Sequence, residues 1–105
     1  MNKRELNDLM DKIQNGNEEA FLTLYNETCK GVFSFAYSIV RNSHDAEDIM
    51  QDTYIKIRRF AQSYSTQGNV SAWILQITKN LAYDFLKKDN KTFAVQLNSD
   101  MRKKV

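Results

Sequence analysis

Asp45-Ala46-Glu47-Asp48-Ile49-Met50-Gln51-Asp52-Thr53-Tyr54-Ile55-Lys56-Ile57-Arg58-Arg59-Phe60 is the stretch on which the reading of this chain turns. Wound as a helix at about 100° per residue, it puts Ala46, Ile49, Met50, Thr53, Ile57 and Phe60 in one sector, a core face. Ile55 falls almost diametrically opposite, ringed by Asp48, Gln51, Asp52, Arg58 and Arg59. A single exposed isoleucine on a solvated face is common. An apolar centre with a charged rim is also the pattern of a docking surface, in which the anchor contributes affinity and the rim sets register.

The flanks extend the helical pattern. There is no Pro, and Gly stands only at positions 16, 31 and 68, so most turn and strand punctuation is missing. Upstream, Leu6, Leu9, Met10 and Ile13 mark a short first helix that Gly16 ends. Asn17 is placed to cap a longer second helix opened by Glu18 and Glu19, with Phe21, Tyr25, Cys29, Val32, Ala36, Ile39 and Val40 along its seam. Gly31 interrupts that helix at a cost of about 1 kcal/mol relative to Ala, and close packing against a neighbour is the expected reason. Arg41-Asn42-Ser43 is the next break, with Ser43 expected to cap the acidic helix. After the polar loop Ser63-Tyr64-Ser65-Thr66-Gln67-Gly68-Asn69, a last helix opens behind Asn69 or Ser71. The expected fold class is therefore all-α, a compact bundle of about four helices.

With 105 residues there is room for one domain with a helical core that needs neither disulfide nor metal. Cys29 is the sole cysteine, expected as a small core residue in a reducing compartment. No stretch is apolar and long enough for a membrane helix or a signal sequence, so the expected location is the cytoplasm. The net charge of +2 hides a division. Met1 to Ile55 carries five basic residues against ten acids, a net of −5, and Lys56 onward carries ten against three, a net of +7. The second half has the electrostatic footprint of a polyanion-binding surface, while the acidic half is left for another partner.

The last helix, Ser71 to Lys88, also has two faces. Ile74, Ile77, Thr78, Leu81 and Phe85 turn inward; Gln76, Lys79, Asn80, Tyr83 and Lys87 gather opposite, with Trp73 at the boundary. Amides for base edges, cations for phosphates and aromatics for stacking are the tools of single-strand nucleic-acid recognition. Tyr64, Gln67 and Asn69 in the preceding loop and Lys88 at the helix end extend the set. Each alone has a plainer account as a boundary aromatic, a solvated polar residue or a cation at a helix C-terminus, but those accounts leave the convergence on one side unexplained.

The acidic motif Asp45-Ala46-Glu47-Asp48-Ile49-Met50-Gln51-Asp52 resembles a signature of region 2 in bacterial RNA polymerase sigma factors of the extracytoplasmic-function type, within the sigma-70 family. Ser71 to Lys88 is similar to the second signature of that domain, in the expected order, and the resemblance covers roughly Asn17 to Lys88. It implies a transcription initiation factor whose acidic helix docks on the clamp coiled-coil of the polymerase β′ subunit. The loop and last helix would recognise and melt the promoter −10 element on its non-template strand. By position, Asp48, Gln51 and Asp52 match the clamp-binding residues, with Ile55 and Arg58 as neighbours. Lys79 and Asn80 match the promoter-reading residues, and Trp73 the aromatic of the helix. An anti-sigma factor is a further partner that the resemblance allows.

Two departures stand out. Lys87, Lys88 and Lys91 occupy the region where the family has an arginine cluster, keeping charge but losing bidentate geometry, and Gln76 stands where a basic residue is frequent. Residues 1–88 are expected to form the domain and 89–105 a linker, in which Phe93, Val95 and Leu97 alternate, towards a helix-turn-helix for which this length has no room. The sequence has no catalytic constellation. It lacks a phosphate-cradling glycine loop, a nucleophile elbow and zinc-spaced Cys and His residues, and His44 lacks the Glu-x-x-His context of a di-metal bundle. Neither enzyme nor cofactor is expected. The alternative to a sigma domain is a helical interaction module that binds protein through its acidic helix and never touches DNA.

Overall fold

The computed structural model describes residues 1–65 and 68–89 as four helices and one 3-10 turn: α1 Lys3–Gln14, α2 Glu18–Val40, α3 Ser43–Phe60, the turn Ala61–Ser63, and α4 Val70–Asp89. No strand occurs among the described residues, so the all-helical expectation holds. Gln67, Lys91, the Phe93–Val95–Leu97 alternation and the Arg102-Lys103-Lys104 run lie outside the described residues.

Side-chain caps start the helices. Asn2 Oδ1 accepts from the Glu5 amide at 2.8 Å, Asn17 Oδ1 from Ala20 at 3.0 Å and Asn69 Oδ1 from Ala72 at 3.1 Å, each satisfying a donor that the helix leaves unpaired. At α3 the cap is Asn42, not Ser43: Asn42 has extended backbone and its Oδ1 accepts from Asp45 at 3.0 Å, while Ser43 is already helical. Gly16 has φ +86°, the left-handed turn that ends α1, as expected. Arg41 takes the same region at the end of α2 with φ 58°, where a Cβ costs about 1–2 kcal/mol.

α2 packs against all three other helices, and α4 closes the bundle against α1, α2 and α3. One core cluster joins Leu6 and Met10, Leu24 and Val32, Met50, Tyr54 and Ile57, Ala61, Val70 and Ile74. At the other end Ala36, Ala46, Ile49 and Ala82 meet, flanked by Phe33, Ile39, Val40, Leu81 and Phe85. Thr53 and Thr78, both fully buried, face each other between α3 and α4 with their Oγ1 atoms 3.2 Å apart.

Two further expectations are corrected. Phe60 is 47% exposed, because a helical wheel counts angle and not height. It is the last residue of α3, one turn beyond Ile57, and Ala61 takes the buried place where the chain turns. Gly31 is not held by close packing either, since a Cβ there would meet nothing within 4 Å.

Candidate functional site

α3 turns its acidic side to solvent. Ile55 is 57% exposed, and Asp48, Gln51 and Asp52 around it are exposed too. Ile57, two residues away, is wholly buried, so at these two positions the faces divide as expected. His44 Nδ1 lies 3.5 Å from Asp48 Oδ2 one turn on. A hydrogen bond to its own backbone, then the Asp48 carboxylate, raises the pKa of His44.

Arg58 is not a free rim charge. Its Nη1 donates to both carboxylate oxygens of Glu18 on α2, at 2.7 and 2.9 Å, and its guanidinium carbon lies 4.1 Å from the centroid of the Phe21 ring. The hydrogen bond and then the charge of Arg58 hold Glu18 below its usual range. Tyr54, which the wheel did not place in the core, fills the α2–α3 seam between Phe21 and Tyr25, with ring centroids 6.5 and 4.8 Å away, and its hydroxyl meets that of Thr28. Burial pushes its pKa up to about 12.

The outward side of α4 carries Gln76, Lys79, Asn80, Tyr83, Lys87 and Lys88, all exposed. Trp73, Gln76, Asn80 and Lys87 recur at helical spacing along one stripe. Gln76 Nε2 donates to Asn80 Oδ1 at 3.1 Å, which fixes the two amides as a unit. That leaves the Asn80 amide hydrogens and the Gln76 carbonyl to face a ligand. Trp73 and Tyr64 are half-buried and packed on each other, ring centroids 4.9 Å apart, and both lean on the core. The Trp73 end of the stripe therefore meets Tyr64 from the segment before α4. The Tyr64 hydroxyl is buried and has no partner among the described residues, and burial raises its pKa. Asn69 stands exposed at the head of α4, its Oδ1 committed to the cap. Gln14 anchors the loop from α1, its Nε2 donating to the Ala61 and Tyr64 carbonyls at 2.8 and 2.9 Å. Gln14 and Glu18 could not be found from spacing alone, since each acts on a segment about 40 or more residues away. No group of His, Cys, Asp and Glu among the described residues is arranged to hold a metal ion, and no described helix is long and apolar enough to cross a membrane.

Residues 24–92 match the family model for sigma-70 region 2. The chain belongs to the sigma-70 region 2 family. It is similar to the ECF RNA polymerase sigma factor SigK of Mycobacterium ulcerans, 29% identical over 86 residues that make up 81% of this chain and 46% of that protein. The ECF sigma factor BldN of Streptomyces coelicolor is 30% identical over 81 residues, 76% of this chain and 31% of BldN. This region 2 chain thus spans less than half the length of these relatives. Among solved structures, the NMR structure of an engineered region 2 of sigmaE in complex with GTAAAA aligns with a TM-score of 0.77 at 26% identity, covering 83% of this chain and 90% of that one.

Proposed function

We propose that this region 2 domain works in transcription initiation by docking on the clamp coiled-coil of bacterial RNA polymerase through α3 and by reading and opening the promoter −10 element through α4 and the loop before it. The observation that carries the reading is the stripe Trp73, Gln76, Asn80 and Lys87, set along the helix of a domain that aligns over most of its length with a sigmaE region 2 solved in complex with GTAAAA. Separating strands costs stacking and pairing energy. A protein that holds extruded bases and cradles their backbone shifts the equilibrium towards open DNA without hydrolysis. In this reading the paired amides of Gln76 and Asn80 meet base edges, for which such groups are suited. Lys79, Lys87 and Lys88 meet phosphates. Trp73, Tyr64 and Tyr83 offer rings for stacking, and Asn69 lines the approach.

On α3, Asp48, Gln51 and Asp52 surround Ile55 as the rim around an anchor, and polymerase holds the domain where its DNA face meets the non-template strand. The reading is tested by calorimetry of the chain against core polymerase. Asp52→Lys should weaken binding by about 2–5 kcal/mol if it removes the partner of a buried cation, and should leave the fold intact. Ile57→Asp should unfold the domain instead. Unchanged affinity for Asp52→Lys would remove α3 from the interface.

A further inference from the structure

α1 lies outside residues 24–92, which match the region 2 family, yet it holds the segment that leads from α3 towards α4. Half-buried Gln14, the last residue of α1, donates through Nε2 to the carbonyls of Ala61 and Tyr64 at 2.8 and 2.9 Å. A side-chain amide nitrogen carries two hydrogens, so both are spent on these carbonyls. Gln62 closes the contact in the opposite direction, its Nε2 donating to the Gln14 carbonyl at 2.7 Å. The end of α1 is thereby clasped to the turn Ala61–Ser63 and to Tyr64, partners 47 to 50 residues away in sequence.

Tyr64 joins this clasp to α4. Its hydroxyl has no partner among the described residues, so its backbone supplies the polar contacts that fix it: the amide donates to the Ala61 carbonyl at 3.2 Å, and the carbonyl accepts from Gln14. Its ring packs on Trp73 with centroids 4.9 Å apart. Gly68 comes so close to that ring that a Cβ there would stand 3.3 Å from the hydroxyl oxygen. A displaced Tyr64 therefore disturbs both the first aromatic of the α4 stripe and the backbone that leads into the helix. A connecting segment buries little surface of its own, so a few hydrogen bonds to a rigid helix decide how narrowly it is held. We infer that Gln14 and Gln62 are positioning residues for promoter reading, which set how sharply the domain discriminates between −10 sequences without touching DNA themselves. This rests on the reading of α4 and the loop before it as the DNA face.

The test compares opening by polymerase loaded with the protein on a promoter selected for it and on the same promoter with a scrambled −10 element, with Asn80→Ala as the reference. Gln14→Ala, and Gln14→Glu, which keeps the shape and removes the donors, should lower the ratio of opening on the two promoters by about three- to tenfold, the share of one or two hydrogen bonds. Gln62→Ala, at an exposed side chain, should lower it less, and it decides the matter if the Gln14 variants do not fold. Affinity for core polymerase should stay within about twofold, because the outward side of α3 is untouched. Trp73 is the sole tryptophan and packs on Tyr64, so its emission in the chain without DNA should shift to the red in the same variants. A ratio within twofold of the parent in folded Gln14→Ala and Gln62→Ala, with Asn80→Ala impaired, would overturn the clasp and leave the α4 reading standing. If Asn80→Ala is without effect as well, both fall. Equal loss on the two promoters, or a loss that polymerase affinity accounts for, would make the clasp a support of the fold alone and also overturn the inference.

Discussion

Arg58 on α3 and Glu18 on α2 are joined by a 2.7 Å contact that spans 40 residues of sequence, with the guanidinium laid over Phe21. The pair sits at the surface, so its contribution to stability is screened by salt. Because the Glu18 carboxyl is held below its usual range, what the pair contributes is present above pH about 4.5 and is lost as pH falls through the lowered value. The unfolding temperatures of the parent and Glu18→Gln should therefore differ at neutral pH and low salt. They should converge in acid and at high salt, as differential scanning calorimetry will read.

Thr53 and Thr78 form the polar contact at the centre of the α3–α4 interface. Each hydroxyl also donates to its own helix, to the Ile49 and Ile74 carbonyls at 2.8 and 2.9 Å. Two protons cannot serve three contacts, so the Thr–Thr approach at 3.2 Å competes with the backbone bonds. Replacing both partners by isosteric apolar groups should then be close to neutral or stabilising. Thr53→Val/Thr78→Val should unfold in urea within about 1 kcal/mol of the parent, and each single substitution should cost about as much or more.

Tyr54 makes the alkaline limit of the fold specific. Its pKa is raised to about 12 against an ordinary 10.0. The folded state thus keeps the proton longer than the unfolded chain does, and stability falls as pH rises from 10 towards 12. The decrease should approach about 2–3 kcal/mol at the upper end, given roughly 1.4 kcal/mol per pH unit. Tyr54→Phe should be less stable at neutral pH for want of the bond to Thr28, and should lack this alkaline slope when its urea midpoint is followed against pH.

Much of the architecture was legible because its causes are local. Apolar periodicity marked all four helices, and Asn17 and Asn69 act at short range on the amides they cap. Asn42 and Ser43 are both capping types standing side by side, and the choice between them is made by the extended backbone at Asn42. Tyr54 sits at the edge of the inward sector, so its burial depends on α2 arriving alongside, which no wheel reports. The same holds for Arg58: the wheel correctly placed it outside, but Glu18 and Phe21 come from another helix. On α4 the stripe was read from spacing alone, whereas the Gln76–Asn80 bond and the Tyr64–Trp73 packing needed rotamers and a folded loop.

If α4 reads DNA as proposed, its outward side divides into two kinds of residue, which binding to single strands separates. Lys87→Ala should weaken binding to every sequence alike and reduce the log-log salt slope by about 0.7, the share of one single-strand phosphate that is no longer neutralised. Asn80→Ala should cost about 1–3 kcal/mol on the preferred strand and much less on a scrambled one. Gln76→Ala should reproduce part of the Asn80 effect, because it releases the amide that Gln76 holds.

Promoter opening itself is read by fluorescence of a base analogue placed in the −10 element of a promoter selected for this protein, with core polymerase loaded with the protein. Gln76→Ala/Asn80→Ala, at two exposed sites where truncation should leave the fold and the polymerase affinity unchanged, should reduce the amplitude of opening by at least tenfold. Opening of normal rate and amplitude with both amides removed would contradict the melting role assigned to α4 and leave only the docking of α3 on polymerase.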